Sequence, residues 1–162
     1  MRYQLIPFLE NREFSVSVDK KNESDKIIFH YKIIGNIDDV IIPEKGSLDE
    51  IWKSSCCELF LSTGDTKYRE FNISFSKEIQ TYSFSDYRNG GRVENIECVV
   101  EKIVKNSNVL ELSIAITNIF GRELFGNIAV IIENSIGEKS YWALSHTPKK
   151  LDFHERGNWG RI

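Results

Sequence analysis

The sequence predicts an all-β domain, an antiparallel two-sheet β-sandwich of the immunoglobulin-like or jelly-roll-like kind. Three observations favour it: short segments in which apolar and polar residues alternate, nearly continuous β-branched segments, and turn residues between them. Many short strands with regular turns are typical of sandwiches and barrels. No linker or repeat divides the chain, so residues 1–162 are expected to form a single domain.

The predicted strands follow one another along most of the chain. Alternation with a period of two, typical of half-buried strands, occurs in residues 14–18, 56–62, 68–75 and 81–84. Nearly continuous apolar segments, typical of central strands, occur in residues 27–34, 96–104, 109–116 and 128–132. Turn residues separate these segments at positions 35–36, 64–65, 89–91, 106–108 and 137.

Helical content is expected to be small, at most one or two short turns. The credible helix start is Ser47, followed at the third position by Glu50, a capping-box pattern in which each side chain bonds the other residue's backbone N–H. The turn would lead directly to Ile51 and Trp52.

Asn89 and Gly90 between two strands are the strongest hairpin signal, because both residues tolerate a positive φ.

Composition and charge exclude several classes of function. The net charge is −3, and the basic residues are dispersed among acidic ones, so a nucleic-acid partner is not expected. Gln4 and Pro7 interrupt the N-terminal segment, so neither a signal peptide nor a membrane partner is expected. Three cysteines, two of them adjacent, favour free thiols and a cytoplasmic location. No metal or other cofactor is predicted, because neither the cysteines nor the histidines show zinc-site spacing.

Two adjacent predicted strands place polar side chains on one face. In residues 56–62, alternation puts Glu58 on the face opposite Leu59. In residues 68–75, the same rule places Glu70 and Asn72 on the polar face. If the two strands pair, these three side chains line one surface that can bond sugar hydroxyls. The alternative interpretation is that Glu70 and Asn72 are a solvated face.

Three segments together carry a resemblance to a known family. They are the sequences IWKSSCCELFL at 51–61, YREFNIS at 68–74 and SYWALSH at 140–146, supported by YSFSDYR at 82–88 and DFH at 152–154. They resemble DOMON-like proteins related to family 9 carbohydrate-binding modules. The resemblance implies an antiparallel β-sandwich with a ligand site on one face, which binds a sugar in some relatives and haem in others. The chain departs from the family at Phe75, where proline is expected, and in its shortened C-terminal strand.

The candidate ligand-binding residues combine aromatic and polar side chains. Trp142 and Tyr87 are predicted to stack on a sugar ring, because its C–H faces pack well on aromatic rings. Hydrogen bonds are expected from Glu70, Asn72, Arg88 and His146. Trp52, beside the predicted helical turn, is interpreted as a core residue. Arg88 has an alternative, structural role as a partner of Asp86 or Glu70.

The function that this pattern favours is a non-catalytic module that binds a carbohydrate or another small polar ligand. One alternative is a haem-binding redox domain, with two ligands drawn from His30, His146 and His154. A second alternative is a small hydrolase built on His146, Asp152 and His154, although no nucleophile signature accompanies them. No catalytic residue is therefore assigned.

Overall fold

The computed structural model describes residues 1–46, 50–63, 65–93, 97–117 and 123–162, and it confirms the predicted β-sandwich. The strands in these residues are, in chain order, β1 (Arg2–Gln4), β2 (Ile6–Pro7), β3 (Ser15–Asn22), β4 (Lys26–Ile34), β5 (Cys56–Ser62), β6 (Tyr68–Ser74), β7 (Ile79–Asp86), β8 (Asn89–Val93), β9 (Cys98–Lys105), β10 (Val109–Thr117), β11 (Phe125–Glu133), β12 (Lys139–Ala143) and β13 (Gly160–Arg161).

Two antiparallel sheets form the sandwich. The smaller sheet has five strands in the order β1-β3-β4-β10-β9. The larger sheet has eight strands, seven of them in the order β2-β12-β11-β5-β6-β7-β8, and β13 pairs with one end of β11. Strands β5 and β6, which carry the predicted polar face, therefore lie at the centre of the larger sheet.

Side chains from the facing surfaces of the two sheets form the main core. On β4 and β10 the buried positions alternate, so one face of each strand points into the core. The larger sheet contributes Leu59, Phe71 and Val130, among others. Tyr31 crosses this core from the smaller sheet, and its hydroxyl donates a hydrogen bond to the backbone carbonyl of Glu58 at 3.3 Å. This bond connects the smaller sheet to β5 of the larger sheet.

The predicted strands agree with the structure except at one turn. The expected turn at residues 89–91 lies in β8, and the hairpin between β7 and β8 instead turns at Tyr87 and Arg88. Arg88 has a φ of 50°, in the left-handed region. Gly90 and Gly91 also have positive φ values, which accommodate the irregular pairing of β8 with β7. The functional consequence is that Arg88 lies at the tip of the hairpin.

Helical structure in the described part of the chain consists of three single 3₁₀ turns, one more than the sequence analysis expected: Ile37–Asp39, Ile51–Lys53 and Arg156–Asn158. The second begins after Glu50, but Ser47, the predicted capping residue, lies outside the described residues, as do Gly64 and Ile96. None of the helical segments among the described residues has the length and apolar character that crossing a membrane requires.

Candidate functional site

The outer face of the larger sheet, which turns away from the smaller sheet, is buried over its central strands. All seven residues of β5 are buried, including those that alternation points away from the main core. The 3₁₀ turn at Ile51–Lys53 covers this face at one side, and the segment 144–159 after β12 covers it at another. A second apolar cluster forms beneath this cover: Ile51, Cys56, Phe60, Tyr68, Ala129, Ile131, Ala143 and Phe153.

A cavity of about 520 Å³ remains between the sheet and its cover. It is lined by aromatic and aliphatic side chains together with three carboxyls, one guanidinium and one imidazole: Trp52, Glu58, Phe60, Glu70, Tyr82, Phe84, Arg88, Ile131, Tyr141, Leu151, Asp152, Phe153 and His154, with Gly91 at its edge. A mostly apolar pocket with a few convergent polar groups is typical of a small-ligand site. We call this the sheet pocket.

Two carboxyls lie on the floor of the sheet pocket. Glu58 of β5 is directly opposite Asn72 of β6, and Phe60 is opposite Glu70, so the two glutamates are diagonal neighbours. Glu58 is 3% exposed, and burial, followed by the proximity of Glu70, raises its pKa to about 8. Burial also raises the pKa of Glu70. The predicted meeting of Glu58 with Glu70 and Asn72 on one surface is thus confirmed.

Hydrogen bonds connect the hairpin tip to His154, whose ring lies beside Glu70. The backbone N–H of Arg88 donates to the Tyr68 hydroxyl at 3.1 Å, and this hydroxyl lies 2.7 Å from Nδ1 of His154. Burial, together with the positive charge of Arg88, lowers the pKa of His154 to about 4, so the ring is neutral near pH 7. Its Nε2 lies 3.6 Å from Glu70 Oε2, beyond hydrogen-bond distance.

Asp152 connects the segment 144–159, called the cover segment below, to the hairpin between β7 and β8. Its carboxylate accepts hydrogen bonds from the Tyr87 hydroxyl at 2.5 Å, from Arg88 at 2.9 Å and from the backbone N–H of His154 at 3.1 Å. Burial opposes ionisation, but the bonds from Tyr87 and Arg88 outweigh it and lower the pKa of Asp152. Lys150 approaches the same carboxylate at 3.5 Å. The carboxylate therefore holds the hairpin tip against one wall of the sheet pocket.

Aromatic rings form the other walls. Trp52 and Tyr82 meet edge to face with their centroids 5.6 Å apart, and they stand on the side of the 3₁₀ turn. Phe84 stacks on Tyr68 at 4.6 Å. Tyr141 enters from β12, and its ring lies 6.5 Å from that of Phe153. The pocket thus offers both ring surfaces and carboxyls to a bound molecule.

Trp52 and Trp142 have roles opposite to those predicted from the sequence. Trp142 was expected to stack on a ligand, but it is 3% exposed and packs in the main core between the sheets. Val130, its partner across β11 and β12, faces the same core, because residues directly opposite in a sheet share a face. Trp52, expected in the core, lines the sheet pocket. Trp142 is therefore withdrawn from the site and Trp52 takes its place.

The remaining predicted residues divide between the sheet pocket and its surroundings. Glu70 and Arg88 line it. Asn72 is fully buried and donates from its amide to Glu70 at 2.7 Å, so it positions that carboxyl and is not a solvated side chain. Tyr87 does not line the pocket, and its hydroxyl instead bonds Asp152. His146 lies outside the pocket lining with Nε2 2.9 Å from the carbonyl of Ile6, so its predicted bond to a ligand finds no place here.

The histidines do not form the groupings that the two alternative functions need. His30 lies on the outer side of the smaller sheet, with Nδ1 2.8 Å from the Ser113 hydroxyl. His146 is held at the carbonyl of Ile6, whereas His154 lines the sheet pocket together with Asp152. Across the described ranges, no group of three or more His, Cys, Asp and Glu side chains is arranged to hold a metal ion.

Sequence reasoning missed several residues of the sheet pocket. Tyr82 and Phe84 were available from alternation, since β6 pairs with β7 and places Tyr82 opposite Glu70. Tyr141 alternates with Trp142 on β12, so assigning the tryptophan to the core would have placed the tyrosine in the site. Leu151 and Phe153 lie in an irregular segment, and no period of the sequence pointed to them.

The contact between Arg88 and Asp152 gives a first prediction. Arg88→Ala is expected to lower the free energy of unfolding by about 1–2 kcal/mol, because a bond to a buried carboxylate is lost while the guanidinium is half-exposed and screened. A double-mutant cycle with Asp152→Ala, read from urea unfolding, should show a coupling of about 1 kcal/mol.

The matched control is the cycle of Arg88→Ala with Asp86→Ala, which tests the ion pair suggested by the sequence. Asp86 accepts a hydrogen bond from the backbone N–H of Tyr87 and shows none with Arg88. Its coupling with Arg88 should stay below about 0.5 kcal/mol. A larger coupling with Asp86 than with Asp152 would contradict the assigned contact.

Comparison with known proteins places the fold. No family of protein sequences and no curated protein matches this chain. Among solved structures, a Bacteroides uniformis protein provisionally described as carbohydrate-binding matches with a TM-score of 0.76 and 15% identity, over 99% of this chain and 84% of that one. A family 9 carbohydrate-binding module from Caldicellulosiruptor kristjanssonii, solved with cellotriose, matches with a TM-score of 0.61 and 7% identity, over 85% of this chain and 68% of that one. This chain therefore has a β-sandwich fold like that of family 9 carbohydrate-binding modules.

Proposed function

We propose that this protein is a non-catalytic module that binds a carbohydrate in the sheet pocket. The observation that carries the proposal is the lining of this pocket, where Trp52, Tyr82 and Tyr141 offer ring surfaces beside the carboxyls of Glu58 and Glu70. Sugars present apolar C–H faces and hydroxyls together, and such a lining can satisfy both. The fold shared with a cellotriose-binding module supports the same class of ligand.

The proposal also covers the relationship of this protein to DOMON-like proteins and its location in the cell. The resemblance to DOMON-like proteins, carried by the segments that form β5, β6 and β12, favours a ligand site on one sheet face. The three free cysteines, two of them buried in β5, favour action in the cytoplasm. Neither haem binding nor hydrolysis is part of the proposal, since no described contact favours either one.

Trp52→Ala is expected to weaken the binding of an oligosaccharide about tenfold or more, because a stacking surface is lost, while Trp52→Phe should retain most of the affinity. Calorimetric titration with cellotriose and a panel of other oligosaccharides, neutral and amino-substituted, measures this. The matched control is Phe125→Ala, which removes an exposed aromatic ring at the end of β11 outside the sheet pocket. Wild-type protein that binds no sugar of the panel, or Trp52→Ala with unchanged affinity, would contradict the proposed function.

A further inference from the structure

Among the described residues, the sheet pocket holds more carboxyl groups than basic groups that could pair with them. Three carboxyls line it, those of Glu58, Glu70 and Asp152, while its basic side chains are Arg88 and His154. Arg88 is hydrogen-bonded to Asp152, and His154 is neutral near pH 7 because its pKa is about 4. Glu58 and Glu70 are therefore left without a bonded cation among the described residues.

The same region is short of hydrogen-bond donors. The donor that the structure shows for the Glu58 carboxyl, within the described ranges, is the Cys56 thiol at 3.8 Å, which is a weak one. Beside it, Oδ1 of Asn72 is buried without a partner in the described part of the chain. A buried acceptor without a donor is unfavourable, so a ligand that brings donors to this point stabilises the site.

An ammonium group is complementary to both deficits. It carries a positive charge and three N–H donors, and it has no acceptor, whereas a hydroxyl brings one donor together with its own lone pairs. The ring faces of Trp52, Tyr82 and Tyr141 add an environment that favours a cation, because their π-electron surfaces are negative. An anionic sugar, by contrast, would meet two carboxyls.

On the basis of the proposed function, we propose that the sheet pocket selects carbohydrates that carry a protonated amino group, and that this group lies between Glu58 and Glu70. The amino group would satisfy the buried acceptors of β5 and β6 while the sugar ring packs on the aromatic walls. A ring ammonium compound that is not a sugar offers the same charge without the hydroxyls, and the experiment separates the two.

Binding of a cation at this point has a proton signature. In the free protein Glu58, with its pKa at about 8, is mostly protonated at neutral pH. The titratable groups around it are Glu70 on β6, Cys56 beside it on β5, and Arg88 at the hairpin tip, together with Tyr141 on β12 and His154 and Asp152 on the cover segment. A cation beside Glu58 lowers its pKa, so an amino sugar should bind with release of a proton, while a neutral sugar should not.

The experiment compares three β-1,4-linked trimers that share one backbone and differ at position 2 of each ring: the glucosamine trimer, the N-acetylglucosamine trimer and cellotriose. Titration calorimetry at about pH 6.5, in buffers of different ionisation enthalpy, measures affinity and proton release together. Wild-type protein is expected to bind the glucosamine trimer at least about tenfold more tightly than cellotriose, the ratio typical of one charge-assisted hydrogen bond, and to release a proton only with the former.

Two variants locate the effect. Glu58→Gln should reduce the preference for the glucosamine trimer over cellotriose to within about threefold, whatever its effect on the affinity for either trimer, since the charge is lost and the shape is kept. Glu111→Gln, on the outer side of the smaller sheet, is the matched control and should keep the full preference. The comparison of ligands on wild-type protein needs no variant, so it decides the inference even if Glu58→Gln does not fold.

Each outcome distinguishes the inference from the function on which it rests. If wild-type protein binds cellotriose as tightly as the glucosamine trimer, the ammonium preference is overturned and the carbohydrate function stands. If no trimer binds, the carbohydrate function is overturned, and the inference with it. If cyclohexylammonium binds as tightly as the glucosamine trimer, the pocket recognises the charge alone, and selection of amino sugars is wrong.

Discussion

Glu58→Gln is expected to raise the free energy of unfolding at about pH 9 by about 4 kcal/mol, with almost no effect at about pH 4.5. The reason is that Glu58 lies buried on the floor of the sheet pocket, where burial and the nearby Glu70 carboxyl raise its pKa from 4.5 to about 8. Glutamine has the same shape and cannot ionise. Since small domains are stable by only about 5–15 kcal/mol, the change is large.

The sign follows from the direction of the pKa shift. The folded protein holds the Glu58 proton up to about pH 8, whereas the unfolded chain releases it near 4.5. Between these two values the folded state binds more protons, so the stability that this proton provides is complete below pH 4.5 and is lost as the pH rises through about 8. Urea unfolding of both proteins across this range should show that, as the pH rises, the free energy of unfolding of wild type decreases relative to that of the variant.

Glu111→Gln serves as the control for this measurement. A hydrogen bond from Lys32 lowers the pKa of Glu111, so its proton is released below the range that is measured. The difference in the free energy of unfolding between this variant and wild type should therefore stay constant at every pH above about 5. If the free energies of unfolding of Glu58→Gln and wild type also differ by a constant amount at every pH, Glu58 is not held protonated, and the electrostatic description of the pocket floor is wrong.

Gly126→Ala is expected to lower the free energy of unfolding by about 4 kcal/mol or to prevent folding, because it forces two backbones apart. A Cβ atom at Gly126 would stand 1.9 Å from the carbonyl oxygen of Phe60 on the neighbouring strand β5. Backbone atoms in the middle of a sheet cannot move aside without loss of ladder hydrogen bonds. Phe60 also forms a wall of the sheet pocket, so ligand affinity should fall in any protein that does fold.

Gly160→Ala is the matched control, since Gly160 pairs with Gly126 across β13 and β11. Within the described residues, no atom beyond Gly160 and its chain neighbours lies within 4 Å of the Cβ position there, so alanine should change stability by less than about 0.5 kcal/mol. Thermal unfolding of the two variants beside wild type measures the difference. Equal melting temperatures for both variants would contradict the close approach of β11 to β5.

Much of the pocket floor was predictable because its signal is local. Successive side chains of a strand point to opposite faces, so Glu58 and Leu59 had to lie on opposite faces of β5. Pairing of β5 with β6 then placed Glu58 beside Asn72 and Glu70. The hairpin tip was predicted at Asn89 and Gly90, because these are the stronger turn formers. The chain instead turns two residues earlier, at Tyr87 and Arg88. Propensity marks a turn's neighbourhood, and strand register decides its position.

By itself the sequence determined the fold class, the approximate strands and the distribution of the side chains of β5 and β6 between two faces, because all of these depend on a period of two along a short stretch of chain. Only the tertiary structure decided which sheet face is covered, and hence which aromatic rings line a pocket. Trp52 and Trp142 have opposite placements that depend on which side of the larger sheet each one reaches. The contact of Asp152 with Arg88 joins residues 64 positions apart. Such a contact forms only when the sheet has brought the hairpin and the cover segment together, so no local pattern could reveal it.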